Sequence, residues 1–102
     1  MAREPFVTAS PGVHRLQAPL QFATVPALRP QGLALISAAQ RELTMDLSAV
    51  PAADSAGLAL LVDWLASARS QDKTLRYVQP PQGLLALARL SDVEGLLTAQ
   101  NG

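Results

Sequence analysis

The chain has 102 residues, of which 49% are hydrophobic, enough for one compact core and too many for a disordered tail. Lys+Arg and Asp+Glu each count 8, a balance that argues against nucleic acid or anionic lipid as main partner, since both require clustered positive charge. With no cysteine and with His14 as the one histidine, the sequence offers no disulfide framework, no Cys nucleophile, and neither a thiolate nor a multi-histidine metal site. No cofactor is expected.

The segment Met1 to Val7 carries no apolar run of signal-peptide length. The longest apolar stretch, Ala56 to Leu65, is interrupted by Gly57 and Asp63 and is far short of the ~20 residues that cross a bilayer. These features predict a soluble cytoplasmic protein of one domain, residues 1–102.

In chain order, Phe6 to Ala9 and Val13 to Gln17 flank Ser10, Pro11 and Gly12, turn chemistry that predicts a β-hairpin. Pro19 closes the second strand. From Thr24 the pattern becomes helical, with Thr24 as N-cap and Pro26 in the first turn, where its missing N–H costs little. Pro30 and Gly32 predict a break: a short turn over 25–29, then a helix from Gln31 to Arg41. Leu43 to Leu47 reads as a strand placing Leu43, Met45 and Leu47 on one face. After a loop from Ser48 to Ala53, Asp54 and Ser55 open an apolar helix running to Arg69. Thr74 to Val78 is a further strand, on which Tyr77 and Arg76 fit core, edge or contact roles alike. Pro80 and Pro81 then precede a helix from Gln82 to Leu90. Ser91 followed by Glu94 reads as a capping box opening a last helix through Leu97, and the tail from Thr98 to Gly102 is expected to fray. The order β-β-α-β-α-β-α-α predicts an α/β fold: a four-stranded mixed sheet, helices mainly on one face, right-handed crossovers, and the hairpin as antiparallel edge.

One place carries chemistry. A strand ends at Asp46-Leu47, and a helix begins at Asp54-Ser55-Ala56-Gly57. The free N–H groups and positive dipole of a helix start suit a negative group. A phosphate on Ser55 would add roughly −1.5 to −2 charges there. Asp and Ser are also the commonest N-caps, so ordinary capping accounts for the same two residues. Gly57 points to close approach of another backbone or a partner, because glycine costs about 1 kcal/mol against alanine in a helix. At 100° steps, Leu58, Leu61, Val62 and Leu65 form the core face, leaving Ala56, Leu60, Asp63 and Ser67 opposite with Trp64 on the flank. Leu60 and Trp64 would then form an exposed apolar strip beside Ser55, unless the first helix or the C-terminal segment covers them.

Asp46-Leu47-Ser48-x-Val50 followed by Asp54-Ser55-Ala56-Gly57-Leu58 resembles the D-L-S-x-V…D-[ST]-[SA]-G-L signature of STAS domains, the sulfate transporter and anti-sigma factor antagonist family. The resemblance covers nearly the whole chain, and Leu87 to Leu90 with Gly95-Leu96 resemble the family's closing segment. The run Asp54 to Leu61 looks most like MlaB-type members, small subunits of an ABC system that moves phospholipids between the membranes of Gram-negative bacteria. One departure is Ala18-Pro19-Leu20, where STAS domains often carry Gly-Glu-Leu.

That resemblance implies a non-catalytic cytoplasmic subunit, held peripherally at the inner membrane by its transporter, that binds an MlaF-type ATPase. The contact surface it implies comprises Asp54, Ser55, Ala56, Gly57, Leu60 and Trp64, without nucleic acid or direct membrane insertion. The alternative is an anti-sigma factor antagonist whose kinase partner phosphorylates Ser55. An enzyme is a third class, but no G-x-S-x-G motif is present, and only a fold that brings His14 to Ser55 would supply a base.

Overall fold

Alternation along the strands decides which side of the sheet is covered. Leu16, Leu43, Met45, Leu75 and Tyr77 are buried, and between them stand Arg15, Glu42, Thr44, Asp46 and Arg76 on the opposite face. The computed structural model describes residues 4–98, so the expected fraying beyond Thr98 lies outside the described residues. It contains β1 (Phe6–Ser10), β2 (Val13–Leu16), α1 (Val25–Ala38), β3 (Glu42–Asp46), α2 (Ser55–Ser70), β4 (Thr74–Val78), α3 (Gln82–Leu90) and α4 (Glu94–Thr98).

The strands lie in the order β1-β2-β3-β4, with β1 antiparallel to β2 and the remaining neighbours parallel. This is the mixed sheet with an antiparallel edge that the sequence predicts. Both β-α-β crossovers step one place in the same direction, so right-handed connection puts α1 and α2 on one face. The other face is open and polar: Arg15 meets Asp46 at 3.2 Å and Arg76 meets Glu42 at 2.8 Å. Arg76 is thus on the open face, while the Tyr77 hydroxyl donates to the Leu61 carbonyl at 2.6 Å and ties β4 to α2.

Four local expectations are corrected. α1 is one helix from Val25 to Ala38 with Pro30 inside it. Proline costs a helix interior about 3 kcal/mol, but Pro30 is exposed and forgoes a bond to the carbonyl of Pro26 in the first turn. Leu28, Gly32 and Ile36, at i, i+4 and i+8, form a buried line, and their packing outweighs that loss. The helix stops at Ala38, short of Arg41, where the Lys73 ammonium donates to the carbonyls of Ile36 and Ser37 at 2.8 and 2.6 Å.

Thr24 holds the N-cap position of α1 without side-chain capping. Its hydroxyl instead donates to the Pro19 carbonyl at 2.6 Å and accepts from the Gln21 N–H at 3.0 Å. The Ser91–Glu94 pair does not act as a capping box. Ser91 ends α3, and the Glu94 carboxylate accepts from Arg89 at 2.8 Å rather than reaching back.

The largest correction concerns α2. Leu60 and Trp64 are 3% and 0% exposed, and the buried set is Gly57, Leu58, Leu60, Leu61, Trp64 and Ala68. Val62 and Leu65, expected in the core, are half-buried. α2 packs on the sheet and on α1 together, so its covered arc is much wider than the single stripe of a helix with one neighbour. A Cβ on Gly32 would fall inside the Trp64 indole. The bare Cα lets the ring press against α1, where its N–H donates to the Arg29 carbonyl at 3.2 Å. Phe6 closes the far side, with ring centroids 5.9 Å apart.

Candidate functional site

The site is the corner where the chain leaves β3 and enters α2, at the carboxyl ends of the parallel strands. Asp54 is the N-cap of α2, and its Oδ1 accepts from the N–H groups of Ala56 and Gly57 at 2.9 and 3.1 Å. Its Oδ2 accepts from the Phe22 N–H at 3.0 Å. These three bonds, Phe22 foremost and Gly57 next, hold the carboxyl below the usual carboxylate range. The carboxylate is therefore committed to structure, and one residue stitches the β2–α1 connection to the start of α2.

Leu20 completes the stitch. Its N–H donates to the Ala52 carbonyl at 2.9 Å, and its own carbonyl accepts the Asp54 N–H at 2.9 Å, a short parallel bridge outside the four strands. The Ala18-Pro19-Leu20 departure thus leads into a buried leucine, 0% exposed, that pins the loop. Gly57 lies directly under it: a Cβ there would overlap the Leu20 carbonyl. The close approach expected of Gly57 is real, and the approaching backbone is the chain's own.

Ser55 follows Asp54 with an exposed side chain, Ala56 is half-buried, and Ala59 is exposed one turn on. With Leu58, Val62, Ser91 and Val93, Ser55 and Ala59 line a shallow depression of about 290 Å³ between α2 and the α3–α4 turn. Of the expected surface, then, Asp54, Ser55, Ala56 and Gly57 come together at the corner. Leu60 and Trp64 lie beneath it in the core.

Phe22 is the residue that sequence reasoning missed. It is 80% exposed and is held at the corner by the Asp54 carboxylate. Nothing in its spacing marks it, because Leu20 and Phe22 would share a face in a strand and only the turn at 21–24 separates them.

Asp46, at the end of β3, accepts from the Ser48 N–H at 2.9 Å and from Arg15 at 3.2 Å. Burial raises its pKa, but the bonds from Ser48 and Arg15 outweigh this and the net shift is downward. The Asp of the D-L-S motif thus fixes the entry to the loop. His14 lies elsewhere: Thr8 Oγ1 is 3.3 Å from its Nδ1, and it lines a cavity with Leu35, Ala38 and Ala39 at the end of α1. The fold does not bring it to Ser55. Among the described residues, no group of three or more His, Cys, Asp or Glu side chains could hold a metal ion. Among the same residues, no helix is long and apolar enough to cross a membrane.

Two solved structures share this architecture. One is described as an anti-sigma factor antagonist of Thermotoga maritima: TM-score 0.73, 18% identity, 91% of this chain and 81% of that one. The other is the anti-sigma factor antagonist SpoIIAA in its unphosphorylated form: TM-score 0.70, 14% identity, 91% of this chain and 84% of that one. At such identities the likeness is one of fold. No curated protein matches the chain. The family model for the MlaB STAS domain matches residues 8–98, which takes in β2 through α4, the Asp54–Ser55 corner and the Leu20 bridge. The chain belongs to the MlaB-type STAS domain family.

Proposed function

We propose that this chain is a non-catalytic subunit that docks through the Ser55 corner onto the ATPase of an ABC-type phospholipid transporter. In this reading it is cytoplasmic, reaches the inner membrane only through that complex, and supports the assembly of the nucleotide-binding dimer. The observation that carries the reading is the state of the corner. Asp54 commits its carboxylate to three N–H groups, so Ser55 and Ala59 stand exposed on a pre-formed surface rather than in a reactive one. The family supplies the partner class. Leu60 and Trp64 act from beneath, fixing α2 against α1.

The test is titration of the purified transporter ATPase with wild type and with Ser55→Arg. Wild type is expected to bind, and Ser55→Arg to lose binding while keeping its melting temperature, because the side chain is exposed. Retained binding by Ser55→Arg sinks the proposed surface.

A second reading has one observation in its favour: an exposed Ser55 hydroxyl at a helix start, in a fold shared with anti-sigma factor antagonists. It is a phosphorylation-switched antagonist. It requires phosphate incorporation at Ser55 by a cognate kinase and release of the partner by Ser55→Asp.

A further inference from the structure

The corner combines an exposed aromatic with a scarcity of charge. No charged residue occurs in 16–28, 47–53, 55–62 or 77–88, the connections that leave the carboxyl ends of the parallel strands just past the Arg15–Asp46 pair and the helix starts beyond. The single charge between them, Asp54, is an ionised carboxylate solvated by its three N–H donors and the helix dipole. On this surface Phe22 is 80% exposed, the highest exposure of any aromatic side chain among the described residues.

Phe22 is not on a slack loop. Its N–H is held by Asp54 Oδ2 at 3.0 Å, Leu20 before it is bridged to Ala52 and Asp54, and the Thr24 hydroxyl behind it ties Pro19 to Gln21. A large apolar ring with few rotamers, fixed on a rigid backbone, loses little entropy on binding and is the residue type that concentrates binding energy. We propose that Phe22 is the apolar anchor of the Ser55 corner, its ring entering an uncharged, aromatic-sized socket in the partner protein.

The inference rests on the docking reading above and deepens it by stating the partner's chemistry. A protein socket is favoured over a lipid surface because interfacial anchoring calls for cations flanking the apolar residue, and these stretches contain none. Binding through such a surface is also nearly independent of salt, because screening acts on charge pairs.

The experiment is calorimetric titration of the purified transporter ATPase with wild type, Phe22→Ala, Phe22→Leu and Ser55→Arg at low and high salt, with Arg69→Ala as a control on the far end of α2. Phe22→Ala is expected to bind at least tenfold more weakly, the effect of a hot-spot aromatic, with Phe22→Leu between it and wild type. Melting temperatures are expected to stay level, because an exposed ring contributes little to the fold. The wild-type Kd should change less than about twofold with salt. Full affinity in Phe22→Ala alongside lost affinity in Ser55→Arg overturns the anchor and leaves the docking corner standing. Full affinity in both, or no binding by wild type, overturns both. Phe22-dependent self-association, or Phe22-dependent sedimentation with phosphatidylcholine vesicles, at unchanged ATPase affinity assigns the ring to another occupant and overturns the anchor.

Discussion

At the carboxyl ends of β2, β3 and β4 the chain turns through 17–24, 47–54 and 79–81 with one charged residue, Asp54, whereas at the amino ends of β3 and β4 the shorter turns 39–41 and 71–73 hold Arg41, Asp72 and Lys73. The two ends also differ in how they are held. The carboxyl end is fixed by backbone bridges and short side chains: Leu20 lies across Gly57, and three N–H groups converge on the Asp54 carboxylate. The amino end is fixed by long side chains: Lys73 reaches the end of α1, and Arg76 reaches Glu42. Because Asp54, Thr24 and the Leu20 backbone do this fastening, the neighbouring side chains of Ser55 and Phe22 are left to face outward. At the amino end the side chains are occupied with holding the fold. A binding surface belongs where side chains are not needed for structure, and this difference supports the proposal that docking uses the Ser55 corner.

Substituting Gly57→Ala gives the largest effect and strikes the carboxyl end at its tightest point. The new methyl would overlap the Leu20 carbonyl, which cannot yield without losing its bond to the Asp54 N–H. A loss of about 3 kcal/mol in denaturant unfolding is expected, at the upper end for overpacked sites. A variant as stable as wild type would mean that the Leu20 segment slides freely and that the corner is not held by backbone.

Lys73→Met tests the amino end. It removes a charged donor from two carbonyls in the last turn of α1, where a cation also complements the helix dipole. The expected loss is about 1–2 kcal/mol, with faster hydrogen exchange at the C-terminal turn of α1. Because the two ends are fastened separately, the Gly57 and Lys73 effects should add in the double variant. A coupling above about 0.5 kcal/mol would show that one end reports on the other.

Periodicity made the order of elements, the hairpin, the parallel pairing and the buried trio Leu43, Met45 and Leu47 readable in the sequence. These depend on near neighbours and a period of two. The same method misplaced Leu60 and Trp64, because a single-stripe reading assumes a helix with one neighbour and α2 has the sheet below and α1 beside it. It broke α1 at Pro30, because the contact that holds the helix together, Gly32 on Trp64, spans two helices. At the corner, Asp54, Ser55 and Gly57 were legible as cap and close approach. What Gly57 approaches, and that Phe22 is carried there, depend on a loop from far upstream, which no local pattern encodes.

Asp54→Asn gives the smallest effect at neutral pH and the sharpest separation of roles. Asparagine is as good an N-cap as aspartate, and its amide oxygen can accept from Ala56 and Gly57 as Asp54 Oδ1 does. The amide nitrogen, however, would face the Phe22 N–H, donor against donor, so the variant keeps α2 and releases the Phe22 loop. The pH dependence follows from the lowered carboxyl of Asp54. Between its folded value and the ordinary value of about 3.9, the unfolded chain binds more protons, so stability falls as the pH falls. The Asp54 contribution is complete above the ordinary range and disappears as the pH drops through the folded value. Acid unfolding followed from pH 7 downward should therefore be less steep in Asp54→Asn than in wild type below about pH 4, wild type being the more stable at neutrality and the two curves converging in acid. The remaining slope belongs to Asp46 and Glu94, which are also lowered. Parallel curves would remove the charge of Asp54 from the account of the corner, and the fastening of Phe22 to α2 would then have to rest on Leu20 alone.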